Sequence, residues 1–146
     1  MTFTKTLKTA AVSLMLVTGA APVLAGSGNN VFIDQWGADN AVGGAQHGSW
    51  NRMTVIQTGL GNTAIQTQDG FGNRTVVGQS GHHNNSGIAQ AGACNVAGVA
   101  QFGGHNDAAV AQDGTCNAIG VIQAGHGNSA EAQQYGSGNV AVIVQD

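Results

Sequence analysis

From Gln35 onward, the chain alternates between polar and hydrophobic positions in short strand-like runs that restart every eleven residues. Counting a Gln as zero, positions five, seven, nine and eleven fall on one face of an extended strand, because successive side chains in a strand point to opposite sides. In the run after Gln90 these are Asn95, Ala97, Val99 and Gln101; after Gln112 they are Asn117, Ile119, Val121 and Gln123. The predicted inward column is therefore Asn, small or aliphatic, aliphatic, Gln. Positions six, eight and ten point outward and vary, as in Arg74, Val76 and Gly78 or Ser129, Glu131 and Gln133. The two-residue alternation, frequent β-branched residues and recurrent glycine all argue against helix.

The beat itself is unbroken. Gln stands at Gln35, Gln46, Gln57, Gln68, Gln79, Gln90, Gln101, Gln112, Gln123, Gln134 and Gln145. Gly follows at Gly37, Gly48, Gly59, Gly70, Gly81, Gly92, Gly103, Gly114, Gly125 and Gly136, and Asn at Asn40, Asn51, Asn62, Asn73, Asn84, Asn95, Asn106, Asn117, Asn128 and Asn139. A partial unit precedes them, with Gly26 and Asn29 in phase but Leu24 where Gln is due. Each Gly supplies a tight turn at little steric cost. One strand and its turn reverse the chain once, so two units close one flat coil, and the coil repeat is twice the unit. The prediction is an all-β solenoid of five stacked two-strand coils, with parallel, in-register sheets and strands about 4.8 Å apart. Gln then lies over Gln and Asn over Asn, and their amides can hydrogen-bond along the stack to offset burial.

Composition narrows the function. Residues 1–25 read as a secretory signal peptide: Lys5 and Lys8, then a short apolar run, then Val23-Leu24-Ala25 as a cleavage site. Residues 26–34 form a short leader with the partial repeat, and 35–146 the repeat domain. Past the signal, Arg52 and Arg74 are the only Lys or Arg residues, against seven carboxylates, which leaves no electrostatic footprint for nucleic acid. No catalytic constellation and no cofactor motif is present, so an enzyme is not expected. A calcium-binding β-roll would need a nine-residue period with recurrent Asp.

The Q-x-G-x-x-N motif followed by small-x-aliphatic-x-Gln, in paired units behind a secretory signal, resembles the curlin repeat of bacterial extracellular amyloid. The resemblance spans nearly all of the chain after residue 25. It implies a structural subunit of a curli-like fibre on the cell surface, serving biofilm matrix and adhesion, with the Gln, Gly and Asn series as its ladder residues. It implies as partners further copies of the chain, a nucleator subunit and an outer-membrane secretion pore. Two features depart from the family: the leader "GSGNNVFID" is short, and Asn opens every strand where Ser is common in alternate ones. The regular, acidic last unit fits the major subunit better than the nucleator. A monomeric secreted solenoid that binds ice or carbohydrate is the competing reading; it would want a regular outward file of Thr or aromatics, which Thr54, Thr63 and Thr67 do not make.

Few residues carry other chemistry. His83 and His105 share a turn column one coil apart, and His82 and His126 share another two coils apart, which makes His83 and His105 weak metal candidates against a reading of recurrent polar turn residues. Cys94 and Cys116, also separated by one coil repeat, should meet at one turn of adjacent coils, within disulfide range; free, turn-exposed thiols are the alternative. The final strand, Val140 to Val144, is strongly β-prone, without Pro or Lys to blunt its edge. The outward file Ile56, Val76, Val96, Ile122, Val140, Val142 and Val144 predicts a more apolar face than the one bearing Asn85, Asp107, Ser129 and Glu131.

Overall fold

A computed structural model describes residues 27–146; the expected signal peptide, residues 1–25, lies outside them. The described chain is a β-solenoid of eleven strands: β1 (Asn30–Ala38), β2 (Ala41–Ser49), β3 (Arg52–Leu60), β4 (Thr63–Phe71), β5 (Arg74–His82), β6 (Asn85–Ala93), β7 (Val96–Gly104), β8 (Asp107–Thr115), β9 (Ala118–His126), β10 (Ser129–Ser137) and β11 (Val140–Gln145). Odd strands stack into a six-stranded sheet and even strands into a five-stranded one, each in sequence order along the stack. All pairings are parallel and shifted by two units, so Gln57 lies beside Gln79 and Gly59 beside Gly81. Two units therefore make one coil. The first strand begins inside the stretch taken as leader: Asn30 to Asp34 pair in register with Arg52 to Ile56. Those residues alternate like every later unit, so the missing Gln at position 24 does not prevent pairing.

The core is a thin slab between the two sheets. Met53, Val55, Val77, Ala97, Val99, Ile119 and Val121 project into it from one side, and Ala64, Ile88, Ala108, Val110 and Ala130 from the other. Complementary volumes meet across the slab: Gly44 stands where an added Cβ would touch the Met53 sulfur, at 2.6 Å. One polar pair interrupts this layer. The Thr75 hydroxyl donates to Gln66 Oε1, whereas Gln66 Nε2 and Ser86 Oγ have no partner.

The corners are more demanding than a single glycine turn. The Gly two residues after each Gln has φ between 91° and 128°, and the residue two further on is left-handed as well. In some units that second site is glycine, as at Gly61 (65°) and Gly72 (66°), but in others it is Asp39, Trp50, His83, Cys94, His105 or Cys116, with φ of 52° to 61°. This second site went unread in the sequence because no one residue type marks it. A non-glycine residue there costs about 1 kcal/mol, and the stacked backbone offsets it: His83 N–H donates to Leu60 O at 2.9 Å and Cys116 N–H to Ala93 O at 2.8 Å.

Candidate functional site

The chemistry of this molecule lies in two side-chain amide columns and in the coil faces where they stop. The Gln column is continuous in each sheet. Gln57 Nε2 donates to Gln79 Oε1 at 2.7 Å, Gln79 to Gln101 at 2.7 Å and Gln101 to Gln123 at 2.9 Å. On the other side Gln46, Gln68, Gln90, Gln112 and Gln134 are linked in the same way, at 2.7 to 3.0 Å. Gln35 and Gln145 complete the first file, at 2.7 and 2.9 Å. A primary amide has two N–H bonds to place. The second goes across the slab to the opening of the facing strand: Gln101 Nε2 to Asn85 O at 2.8 Å, and Gln79 Nε2 to Thr63 O at 2.9 Å. Gln57, Gln68, Gln79, Gln90, Gln101 and Gln123 thus join neighbouring coils and also tie one sheet to the other.

The Asn column works differently from the expected amide-over-amide stack. Asn51 Oδ1 accepts the backbone N–H of Asn73 at 3.0 Å, and Asn73 Oδ1 accepts that of Asn95 at 3.0 Å. The amide nitrogen braces two turns: Asn73 Nδ2 reaches Asp69 O in its own turn at 3.1 Å and Gly92 O in the next coil at 3.0 Å. Asn62, Asn84, Asn106 and Asn117 also reach a turn glycine carbonyl in the next coil, at 2.9 to 3.2 Å. Amide-to-amide bonds supplement this pattern at some rungs, such as Asn84 to Asn62 at 3.0 Å. Asp would lose the donor and Ser the reach, which accounts for Asn in every unit.

Glycine at the turn is fixed by its neighbours. A Cβ on Gly59 would overlap the carbonyl oxygen of Gly81, and one on Gly81 that of Gly103. Gly37, Gly48, Gly70, Gly92, Gly103 and Gly114 are confined in the same way. Gly125 and Gly136 are the exceptions: the nearest atoms to a Cβ there lie 3.8 Å away, on Asn128 and Asn139. The difference is the absence of a further coil among the described residues.

At both ends of the described stack the coil faces stand open. Among the described residues, β1 pairs only with β3, β2 with β4, β10 with β8 and β11 with β9. The core columns are uncovered there too: Val31 and Ile33 are 52% and 47% exposed, while Met53 and Val55, next in the same columns, are at 0%. The two faces are complementary. Among the described residues no donor reaches Gln35 or Gln46 Oε1 from below, while Gln134 and Gln145 each retain an N–H after bonding to Ala118 O and Ser129 O. Asn128 and Asn139 present Oδ1 toward the next rung, the atom that elsewhere receives a backbone N–H.

The remaining predicted residues lie at corners. Cys94 and Cys116 are joined by a disulfide, with Cα atoms 4.6 Å apart. The rings of His83 and His105 stack at 5.2 Å with 26° between their planes. Among the described residues no three His, Cys, Asp or Glu side chains converge on one point as they stand, and no helix is long and apolar enough to cross a membrane. No protein-family model matches this chain, and no curated protein matches it significantly.

Proposed function

We propose that this protein is a structural subunit of an extracellular, curli-like amyloid fibre that grows by stacking coil on coil. The observation that carries the reading is the pair of complementary open faces, each with unpaired strand edges and uncovered core columns. A strand edge of this kind is a template for another chain, and a head-to-tail contact between two different faces of one molecule propagates instead of closing. Every rung carries the same Gln, Gly and Asn, so an incoming coil meets the same partners as an internal one. The secretory signal read at the N-terminus and the curlin-like repeat support a fibre outside a bacterial cell, in biofilm matrix and adhesion. A nucleator and an outer-membrane pore are its proposed partners beside further copies of itself.

The test is assembly of the purified chain from Gly26. It should form thioflavin-binding fibres with a meridional reflection at about 4.8 Å, after a lag that preformed fibres abolish. A chain that stays folded and monomeric for days, seeded or not, would sink the reading in favour of a solitary binding module.

A further inference from the structure

Four histidines that the sequence divides between two turn columns come together at one corner. His82 ends β5, Gly104 ends β7 and His126 ends β9, and the three lie in one register column. His82 and His126 are two rungs apart, about 10 Å between backbones. Their rings nonetheless approach to 5.3 Å, because Gly104 between them has no side chain. A Cβ on Gly104 would strike His82 Nε2 and would lie 2.9 Å from His126 Cε1. The second column joins the same cluster: the His105 ring stands edge-on to His82 at 5.3 Å.

His83 is the outlying member. It lies face to face with His105, an arrangement that turns ring faces, not ring nitrogens, toward each other. The pair His83 and His105 is therefore not the chelating pair; His82 and His126 are, with His105 beside them. None of the four rings hydrogen-bonds to another side chain or to the backbone among the described residues, so their nitrogens are not committed to holding the turn.

We propose that His82, His105 and His126 form a binding site for a late first-row divalent metal ion, with Cu²⁺ bound most tightly. Imidazole is a good donor for Cu²⁺, Ni²⁺ and Zn²⁺, and Cu²⁺ heads the affinity order for nitrogen sites. The three donors do not yet meet at a point, and the exposed rings of His105 and His126 turn about χ1 and χ2 to complete the set. Gly104 is the feature that makes the site, since it clears the space over which His82 and His126 converge. His126 lies in the last turn on its side, where no further coil stacks over it among the described residues, so the ion is titrated into the unassembled chain and the outcome does not depend on the proposed assembly.

Cu²⁺ titration of the chain from Gly26, followed by calorimetry and by electron paramagnetic resonance, tests this. The expected result is one ion per chain with nitrogen hyperfine structure from at least two imidazoles. His82→Ala and His126→Ala should each weaken binding at least about tenfold, and Gly104→Ala about tenfold without removing any donor. His47→Ala, on the other sheet, should leave affinity unchanged. Far-ultraviolet circular dichroism identifies any variant that no longer folds; the exposed His126 is the substitution best tolerated. Binding that is equally tight in the folded His126→Ala and Gly104→Ala variants, or a spectrum showing a single imidazole, would overturn the proposal.

Discussion

At the scale of single residues, two turn glycines with similar freedom of backbone should differ sharply in what they tolerate. Gly59 (φ 121°) and Gly72 (φ 66°) both need positive φ, but only Gly59 faces a carbonyl oxygen where a Cβ would go. Gly72→Ala should cost about 1 kcal/mol, the left-handed penalty alone. Gly59→Ala adds a backbone overlap that no side-chain rotation relieves, and should cost roughly 3 kcal/mol. Urea denaturation under non-assembling conditions measures both, and equal losses would show that stacking distance does not fix the glycine. The Gln column allows a parallel comparison. Gln101→Ala strands the amide of Gln79 and the carbonyl of Gln123 in a buried layer, at roughly 1–3 kcal/mol, while outward Gln133→Ala should stay within about 0.5 kcal/mol. Much of this was legible in the sequence, because Gln, Gly and Asn recur at one position each and the inward face alternates with period two. The bond from Asn to the glycine carbonyl of the next coil was not legible: Asn73 and Gly92 meet only once the coil pitch is known. The clustering of His82, His105 and His126 was hidden for a related reason, since it depends on the empty space above Gly104.

At the scale of one strand, β11 shows how an edge can be altered without disturbing the chain that owns it. Ala118 N–H donates to Asn139 O, so in the alternating parallel ladder Ala141, Ile143 and Gln145 bond back to β9. Val140, Val142 and Val144 then direct their N–H and C=O toward the open face. Val142→Pro removes a donor that has no partner in the single chain, and an edge strand accommodates the proline. Its expected outcome is unchanged stability of the monomer with loss of elongation from the face bearing β11, followed by seeded thioflavin kinetics with the variant as the seed. Elongation at the rate of the unaltered chain would remove β11 from the growth mechanism. The outer surface of the same sheet is a separate matter. Phe32, Ile56, Val96, Ile122, Val140, Val142 and Val144 are all exposed on it, whereas Ile65 is the one large aliphatic exposed on the outer surface of the five-stranded sheet among the described residues. Lateral bundling should use the six-stranded side. Ile122→Asp is expected to give thin, separate fibres in electron micrographs, and undiminished bundles would count against that face.

At the scale of the whole molecule, the number of strands sets how copies must join. If the eleven described strands are the entire stacking unit, the rung that follows β11 lies over β10 in the five-stranded sheet. The next copy fills that rung with its own β1 only when turned by half a turn about the fibre axis, so that its six-stranded sheet continues the five-stranded one. The two kinds of unit permit this, since both carry the same Gln, Gly and Asn; Gln35 would then lie over Gln134 and Gln46 over Gln145. The side chains outside the ladder suit the join as well: Trp36 comes over Tyr135, and His47 over the carboxylate of Asp146. A copy added without the half-turn would place β1 over β11 and leave one rung of the other sheet empty, uncovering core at every junction. The two arrangements differ in axial rise. Half-turn stacking advances about five and a half strand spacings per subunit, about 26 Å, and unturned stacking about six, about 29 Å. Helical reconstruction of fibres from the unaltered chain should find about 26 Å with a half-turn relation between neighbours, modulated by the twist of the sheets. A rise of about six spacings would eliminate the half-turn, and one of about five spacings would mean that β1 leaves the stack when fibres form.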